Sequence, residues 1–328
     1  MRRYLLPVSF ILIFVLPNLL FSVLTHPKRE NPVVPKETEP EIKSLQMIQL
    51  EDNDSIMEVE LEEYILCVLL GEVPASFESE ALRAQAIATR TYTLRRYMED
   101  SKHDNAHVCT DASCCQAYVP VDTFLEQGHT EWELRKIEDA VKSTSCQVIS
   151  YNGELIEATY FSCAGDRTEN ASDVWGREVP YLISVKSSGE KISANYQKTI
   201  VLTIQQFVAQ LGLDHTETLS EGDISVSYTT GGGVAQAKIA GQTYTGQEIR
   251  TLLELPSTVI TFEIDDDVVK ITTKGSGHRV GMSQYGAQAM ALDDKNHEEI
   301  LRHYYPGTNL ITLTDRQLNA IFDKEENL

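Results

Sequence analysis

The chain has 328 residues, 42% of them hydrophobic and 23% charged, which is enough for one large globular domain or two small ones. Its 49 acidic residues outnumber its 28 lysines and arginines, and the formal net charge is −21 at pH 7. This charge argues against nucleic acid and against anionic membrane surfaces as partners, because both repel it. The negative charge does not exclude a largely neutral polymer, such as a glycan strand, as a partner.

The first predicted element is a membrane anchor within residues 1–26. Arg2 and Arg3 precede the uncharged, mostly apolar segment Tyr4–Leu24. As a helix rising about 1.5 Å per residue, this segment crosses a hydrocarbon core about 30 Å thick. A cleaved signal peptide is the alternative, but no small-x-small cleavage site follows. We therefore expect a single-pass protein of the cell membrane, with its body outside the cytoplasm.

Residues 27–55 are predicted to form a tether. They contain four prolines and many acidic residues, and they show no apolar periodicity before Leu45. Such a composition describes a solvated segment that spaces a domain from its anchor. The globular domain is expected over residues 56–314, followed by a C-terminal tail at 315–328.

Three helices are predicted in the first part of this domain, at 60–71, 78–98 and 131–145. The first is almost wholly apolar over 61–70, and it is too short to span a bilayer. The second is spaced by alanines, which let another element approach its backbone closely. The third carries charges at helical spacing, as a helix with one solvated side does.

Glu72 follows the apolar run, within the sequence Gly71-Glu72-Val73-Pro74. If the run is a buried helix, this carboxyl group lies at its C-terminal end, where unpaired carbonyls place partial negative charge. Burial and the helix dipole both raise the pKa of the carboxyl group. A carboxylic acid that is protonated near neutral pH is what general acid catalysis requires. The alternative is a surface glutamate at a frayed helix end.

From Cys146 the apolar period changes to two. Gln147–Tyr151, an Asn152-Gly153 turn and Glu154–Ser162 predict a β-hairpin. Further strands are predicted at 199–203, 224–228, 234–240, 259–264 and 267–273, with amphipathic helical pieces at 204–212 and 246–254. A closing helix is predicted from Ser283. The fold class is therefore α+β, with a helical lobe followed by mixed or antiparallel sheet with short helices, and with a β-rich subdomain at about 195–275.

Three segments carry sequence motifs, namely 71–97, 160–185 and 277–292. Together they closely resemble the stage II sporulation protein D family of peptidoglycan lytic transglycosylases, and the looser likeness runs from about residue 56 to 314. The resemblance implies a membrane-tethered protein that faces the space between mother cell and forespore. The chain departs from the family pattern after His278, where Arg279 stands in place of the usual glycine.

The resemblance also implies the chemistry. The family's catalytic acid is the glutamate of its G-E-x-P motif, which is Glu72 here. It protonates the oxygen between N-acetylmuramic acid and N-acetylglucosamine, and its carboxylate then assists the muramyl 6-hydroxyl in forming a 1,6-anhydro product. This differs from glycoside hydrolysis with two carboxylates, so a second one is not required. No cofactor is expected for catalysis.

Substrate-binding candidates are the motif residues that can hydrogen-bond or stack on sugars. They are Gln85, Arg90 and Tyr92 from the second helix, Tyr160 and Ser162 from the hairpin strand, and Gln284 and Tyr285 from the last motif. Each has a structural alternative. The arginine pins a neighbouring loop, the tyrosines are core rings with one wet edge, and Gln85 caps internal backbone. His278 is a candidate second acid–base group, although a lone histidine is more often structural.

A second cluster of reactive side chains consists of His103, Cys109, Cys114 and Cys115. Thiolate and imidazole ligands packed this closely suit a structural, tetrahedral Zn²⁺ site without an open position for water. Some clostridial relatives carry a similar His/Cys zinc loop at this place. The alternatives are His107 as a ligand instead of His103, free thiols, or a disulfide such as Cys109–Cys115, which is compatible with an extracytoplasmic location.

The sequence thus predicts a membrane-anchored lytic transglycosylase that acts on glycan strands during sporulation. The family implies a complex with a polytopic membrane scaffold and with a cell-wall amidase that first strips the stem peptides. Two other functions stay open at this point. One is a non-catalytic glycan-binding module that recruits the amidase, and the other is a zinc-dependent wall hydrolase centred on the cysteine cluster.

Overall fold

The computed structural model describes residues 46–53, 55–99, 103–213 and 218–323. The predicted membrane anchor at 1–26 and most of the predicted tether lie outside these ranges. Within them, no helix combines the length and apolar character needed to cross a membrane.

The described residues form an α+β fold, and the predicted class is confirmed. The helices are α1 Leu61–Glu72, α2 Ser79–Met98, α3 Val121–Glu126, α4 Glu131–Ser143, α5 Ala171–Trp175, α6 Ile204–Gln210, α7 Gly246–Leu252, α8 Gln284–Leu292, α9 His297–Tyr304 and α10 Asp315–Phe322. The strands are β1 Met47–Asp52, β2 Ser55–Glu60, β3 Val108–Cys109, β4 Gln147–Tyr151, β5 Glu154–Leu155, β6 Tyr160–Phe161, β7 Asp166–Arg167, β8 Lys186–Ser187, β9 Gln197–Thr203, β10 Ile224–Tyr228, β11 Val234–Ile239, β12 Gln242–Thr245, β13 Val259–Asp265, β14 Val268–Lys274, β15 Met282–Ser283 and β16 Asn309–Thr312.

Helix α2 is the centre of the larger hydrophobic core. It contacts α1, α4, α8, α9 and β4, and most of its side chains are buried. This is possible because Ala81, Ala84, Ala86 and Ala88 leave room for neighbouring backbones on several faces. A helix that is enclosed on all sides needs little amphipathic pattern, and α2 therefore shows small residues all round in place of one apolar stripe.

The sheets are small and mostly antiparallel. Their strand orders are β2-β1-β3, β10-β11-β12, β13-β14-β9, β15-β6, β16-β4-β5 and β7-β8. The pairs β1–β3 and β15–β6 are parallel. Both parallel pairs join distant parts of the chain, and both lead directly into the candidate site described below.

Three boundaries differ from the sequence prediction. The hairpin strand expected over 154–162 stops at Leu155, because the Glu157 N–H bonds the Tyr181 hydroxyl and the chain leaves the ladder. The end of the predicted tether is part of the fold, because Ile48 and Leu50 of β1 are fully buried. The predicted tail begins with α10, whose Leu318 packs into the core.

Residues 197–274 have a hydrophobic core of their own, with Phe207, Ile239 and Ile271 at its centre. Arg279 ties this part to the main body. Its Nη1 donates to Glu169 Oε1 at 2.9 Å, and both side chains are only 1% exposed.

The rest of the Arg279 guanidinium binds backbone on both sides of this junction. Nη2 donates to the carbonyls of Arg167 and Gly231 at 2.7 and 2.8 Å. A Cβ at Gly231 would lie 2.4 Å from a Glu169 oxygen, so only glycine permits the approach. Arg279 itself has a φ of +66°, which explains why a glycine is the usual residue here.

Arg90 of α2 holds a second ion pair in the main core. Its side chain is 0% exposed, and Nε and Nη2 donate to the two carboxylate oxygens of Glu62 on α1 at 2.7 and 2.6 Å. The guanidinium also donates to the carbonyls of Gln147 and Val141, both at 3.3 Å. Arg90 therefore joins α1, α2, α4 and β4.

We expect Glu62→Gln to lower the free energy of unfolding by about 2 to 3 kcal/mol, because it leaves the buried Arg90 charge without a counter-ion. Urea denaturation monitored by circular dichroism measures this. Glu63→Gln is the matched control, since Glu63 is the exposed neighbour on the same turn, and it should change stability by about 0.5 kcal/mol or less. Equal effects of the two substitutions would show that the pair does not stabilise the core.

Candidate active site

A polar cavity of about 490 Å³ opens beside the C-terminal end of α1. One wall is α2, through Tyr92 and Arg96, and a second wall is the loop 112–117. β6 with its neighbours, the turn at 277–278 and Trp175 of α5 also line the cavity. Its volume lies in the range of about 300–1,000 Å³ that is typical of ligand pockets.

Glu72, the last residue of α1, presents a partly buried carboxyl group to this cavity. Oε1 accepts a hydrogen bond from the backbone N–H of Ala117 at 2.8 Å. Oε2 accepts one from the side-chain amide of Gln284 at 2.9 Å. The carboxyl group is thus held by two N–H donors that come from far apart in the sequence.

The residues around Glu72 explain why this position is so constrained. A Cβ on Gly71 would lie 3.2 Å from the backbone of Ala117 and Tyr118, so glycine lets the donor loop come close. The helix ends at Glu72, and Pro74 prevents it from continuing. The four residues of the motif therefore place one carboxyl group at a helix end against a passing loop.

Burial raises the pKa of Glu72, because desolvation penalises the carboxylate more than the neutral acid. The hydrogen bonds from Ala117 and Gln284 act in the opposite direction, since they stabilise the charged form. The net shift is upward, in the direction that the sequence predicted. A carboxyl group of this kind gives up its proton less readily than an exposed glutamate and can act as a general acid.

Tyr160 lies close to this carboxyl group. The parallel pairing of β6 with β15, in which Tyr160 stands opposite Met282, brings the strand beside the start of α8. Burial, followed by the negative charge of Glu72, puts the pKa of Tyr160 well above its usual range. The hydroxyl therefore stays protonated, and it donates to Gln116 Oε1 at 2.7 Å.

Gln116 is a site residue that the sequence analysis missed. It is buried, and its amide nitrogen donates to the Tyr64 hydroxyl at 3.1 Å and to Thr93 Oγ1 at 3.2 Å. These two hydrogen bonds orient the Gln116 side chain so that its carbonyl oxygen faces the Tyr160 hydroxyl. The only signal in the sequence was its place next to the cysteine cluster, which does not by itself indicate a role in the cavity.

Three of the predicted substrate-binding residues, in addition to Tyr160, line the cavity or contact Glu72. Tyr92 and Ser162 line the cavity, and Gln284 holds the carboxyl group directly. Tyr285 is not among the lining residues. Its ring packs edge-to-face on Phe77 at a centroid distance of 5.1 Å, and it thereby supports the segment that follows the motif.

The structure does not place Arg90 and Gln85 in the cavity, and the prediction that they contact substrate is corrected here. Arg90 is enclosed by the ion pair and carbonyls described above. Gln85 is 1% exposed, and its amide nitrogen donates to Thr89 Oγ1 at 3.2 Å. Thr89 Oγ1 in turn contacts the Tyr160 hydroxyl at 3.5 Å, so Gln85 supports Tyr160 indirectly, through Thr89.

Three further residues that line the cavity are Glu157, Trp175 and His278. Burial lowers the pKa of His278 to about 4, so the ring is neutral at physiological pH, and its Nδ1 accepts a bond from the Val280 N–H at 3.1 Å. The Trp175 ring lies 5.4 Å from it and offers an apolar face. Glu157 is a second carboxylate in the cavity, but Arg177 Nη2 binds both of its oxygens at 2.6 and 2.5 Å.

The predicted metal-ligand cluster is assembled in space. The ligand atoms of His103, Cys109, Cys114 and Cys115 all lie within 4.8 Å of one another. His103 Nε2 is 3.4 Å from the sulfur of Cys115 and 3.8 Å from that of Cys114. Four such donors at metal distances of about 2.0–2.3 Å are separated by similar spacings in a tetrahedral zinc site.

The residues around this cluster help to distinguish the zinc site from His107 as a ligand and from a disulfide. β3 pairs with β1 and sets Cys109 opposite Glu51, whose carboxylate lies 2.7 Å from His103 Nδ1. Such a carboxylate orients a metal-binding imidazole through its other nitrogen. His107 is engaged elsewhere, because its Nδ1 accepts a bond from the Gln49 N–H at 2.8 Å. The six cysteines form no disulfide in the described residues, so the Cys109–Cys115 bond is not present there.

The fold and the cavity together define an α+β protein with a polar cavity, in which one carboxyl group of raised pKa is held by two N–H donors. A family model described as "Stage II sporulation protein" matches residues 50–151. The chain is 36% identical over 332 residues to stage II sporulation protein D of Bacillus subtilis (strain 168), an alignment that covers 96% of each chain. It therefore belongs to the stage II sporulation protein D family.

Two other relatives extend this comparison. Stage II sporulation protein D of Bacillus amyloliquefaciens is 36% identical over 262 residues, covering 79% of this chain and 76% of the relative. A Bacillus subtilis (strain 168) protein named "Amidase enhancer" is 29% identical over 296 residues, covering 74% of this chain but 39% of the relative.

We expect Glu72→Gln to keep or raise the melting temperature, by up to a few degrees. The raised pKa means that the native state keeps a proton which the unfolded chain releases, so wild-type stability falls as pH rises from about 4.3 through the native pKa. The variant has no such group, and its advantage should therefore grow with pH. Calorimetry between pH 4 and pH 9 measures the difference in melting temperature between the variant and the wild type.

The exposed Glu178→Gln is the control for the loss of one negative charge. Its melting temperature should follow the wild type at every pH. Parallel profiles for Glu72→Gln and wild type would mean that Glu72 titrates like an exposed glutamate.

Proposed function

We propose that this chain is a peptidoglycan lytic transglycosylase with a cell-wall role in sporulation. It cleaves the bond between N-acetylmuramic acid and N-acetylglucosamine in glycan strands without stem peptides, and it leaves a 1,6-anhydro end. The observation that carries the proposal is the Glu72 carboxyl group at the cavity, with its raised pKa and its two N–H donors. Membership of the stage II sporulation protein D family supports the setting.

The reaction needs one proton carrier. Glu72 gives its proton to the bridging oxygen as the bond from that oxygen to the muramyl C1 breaks, and the electron pair leaves with the glucosamine. The 6-hydroxyl oxygen of the same muramyl residue then bonds to C1, and its proton passes to the Glu72 carboxylate. Atoms and charge balance without water, and the acid is regenerated.

Neighbouring side chains would position the glycan strand relative to Glu72. Tyr160 and Gln284 flank the acid and hydrogen-bond within its immediate surroundings. Tyr92 and Trp175 offer rings at the cavity wall, and the Ser162 side chain offers a hydroxyl. Sugar recognition by rings and hydroxyls suits such walls, and positioning is needed because acid–base assistance alone contributes about 10²–10⁴-fold.

Glu157 supports a second candidate, which is hydrolysis with two carboxylates. It lines the same cavity as Glu72, as paired carboxylates do in glycoside hydrolases. Its ion pair with Arg177 weighs against a role as a base that activates water. The two reactions differ in product, because hydrolysis leaves a reducing muramic acid end.

The test is to incubate the purified full-length chain with denuded glycan strands and to analyse the products by mass spectrometry. We expect 1,6-anhydro ends from wild type, and a loss of at least about 10²-fold with Glu72→Gln. Glu178→Gln is the control and should act like wild type. Reducing ends would support hydrolysis, and binding without any product would support a glycan-binding module.

The pH dependence adds a second check. The protonated form of Glu72 is the active acid, so kcat/KM should fall on the alkaline side, as pH rises through its pKa. Because burial raises that pKa, the fall should begin above the ordinary value of about 4.3. If kcat/KM already falls at or below about pH 4.3, that result would contradict the assignment of Glu72 as the acid.

The proposed setting also includes location and partners. The hydrophobic segment within residues 1–26 would anchor the protein in the membrane, and residues 27–55 would let the domain reach the wall from there. The family resemblance and the relative named "Amidase enhancer" support a cell-wall amidase as a partner. A polytopic membrane scaffold completes the complex that we propose.

For the cysteine cluster we propose one structural Zn²⁺, bound by His103, Cys109, Cys114 and Cys115. The support is the short spacing of the four ligand atoms and the carboxylate of Glu51 behind the imidazole. A four-ligand ion leaves no position for substrate, so its role would be to hold the loop that ends in Ala117. A zinc-dependent hydrolase is therefore not favoured.

We expect about one zinc per chain in the purified protein, measured by atomic emission, and far less in Cys109→Ser. The variant should also melt at a lower temperature, because binding stabilises only the folded state. Cys146→Ser is the control, since Cys146 lies outside the cluster. The products of any residual activity should still carry anhydro ends. Equal metal content in the two variants would contradict the site.

A further inference from the structure

We propose that the Arg96 side of the cavity is a carboxylate-binding subsite. Its ligand is the free lactyl carboxylate of a muramyl residue whose stem peptide has been removed. The inference rests on the proposed function and names the feature by which a denuded strand is recognised. Arg96 would be a specificity-determining residue and not part of the proton transfer at Glu72.

The position of Arg96 is fixed by its surroundings. It lies in the last turn of α2, one turn after Tyr92, and its guanidinium carbon is 5.1 Å from the centre of the Tyr92 ring. The side chain is 30% exposed and lines the same cavity as Glu72. A guanidinium held on an aromatic face is preorganised for a planar anion.

The charges at this side of the cavity leave room for an anion. Glu157 is bound at 2.5 and 2.6 Å by Arg177. Glu99 binds Arg95 at 2.7 Å and Arg96 at the longer distance of 3.2 Å. Arg95 and Arg177 therefore share the charge of Glu99 and Glu157, which are the two carboxylates that act on Arg96.

The chemistry of the strand supplies a matching group. Muramic acid carries a lactyl ether that ends in a carboxyl group, which is a neutral amide while a stem peptide is attached and a carboxylate once it is removed. Glucosamine has no such group. A guanidinium binds a carboxylate by two charge-assisted hydrogen bonds, and an amide offers only a neutral oxygen. Arg96 would thus select muramyl residues that an amidase has already processed.

The experiment measures binding in a Glu72→Gln background, so that it does not depend on cleavage. Isothermal titration compares the full-length protein with three ligands: denuded strands, the same strands with their lactyl carboxylates coupled to methylamine, and chitin oligosaccharides. We expect the first to bind on the order of tenfold more tightly than the other two. Adding Arg96→Gln should remove this preference, and Arg96→Lys should retain part of it.

Arg302→Gln is the control for the loss of one positive charge, because Arg302 is exposed on α9 and outside the cavity. It should keep the preference. Equal binding of denuded and amidated strands, a preference that survives Arg96→Gln, or no binding of denuded strands would each overturn the subsite. If the preference is present but wild type forms no product, the subsite stands and the proposed catalytic function fails.

Discussion

The hydrogen bonds to Glu72 from the Ala117 N–H and the Gln284 amide are the interactions on which the candidate site depends. Each donor is placed by a different structural feature. The absence of a side chain at Gly71 lets the loop carrying Ala117 reach the helix end. The pairing of β15 with β6, together with the cap that Ser283 provides for α8, fixes Gln284. These donors pair the carboxylate oxygens of a largely buried group, and the burial itself raises the pKa of Glu72.

The two donors differ in a way that suits proton transfer. The backbone N–H of Ala117 can only donate, so it favours Oε1 as an acceptor in both protonation states. The amide of Gln284 can donate through nitrogen or accept through oxygen after a flip of its terminal group. Oε2 can therefore carry the proton or lose it while its neighbour adapts. The backbone need not move as Glu72 changes from acid to base.

Helix positions were predictable because they depend on local pattern. The apolar run before Glu72 and the alanine spacing of α2 predicted both helices to within a residue or two. The role that we propose for Glu72 was inferred from its place at a helix end and from the family motif. Arg90 shows the limit of this reasoning, because a charged motif residue that binds substrate and one that binds a buried carboxylate look alike in sequence. Which of the two applies depends on tertiary packing around Glu62.

Residues of the cavity that come from a loop or from the short helix α5 were not predictable for a similar reason. Gln116 and Trp175 have no periodic pattern around them, and their positions follow from contacts with distant segments. The same applies to Arg279, which departs from the family pattern but forms a buried ion pair with Glu169. The glycine-rich turn at 231–233 packs against that pair, and a Cβ at Gly231 or Gly233 would lie 2.4 or 2.5 Å from a Glu169 oxygen. Sequence pattern alone does not show that two distant segments approach each other this closely.

The loop from His103 to Ala117 joins the cysteine cluster to Glu72, and it must hold one conformation to present the Ala117 N–H. It contains only the two-residue strand β3, so few ladder hydrogen bonds hold it. Fixing the backbone of each residue costs about 1–2 kcal/mol of conformational entropy. Cys115 of the cluster is followed directly by Gln116, which orients Tyr160, and by Ala117, which binds Glu72. An ion bound at the cluster would offset this entropy cost only two residues before Ala117, whose N–H binds Glu72. The geometry of the carboxyl group would then depend on a site that takes no part in the proposed reaction.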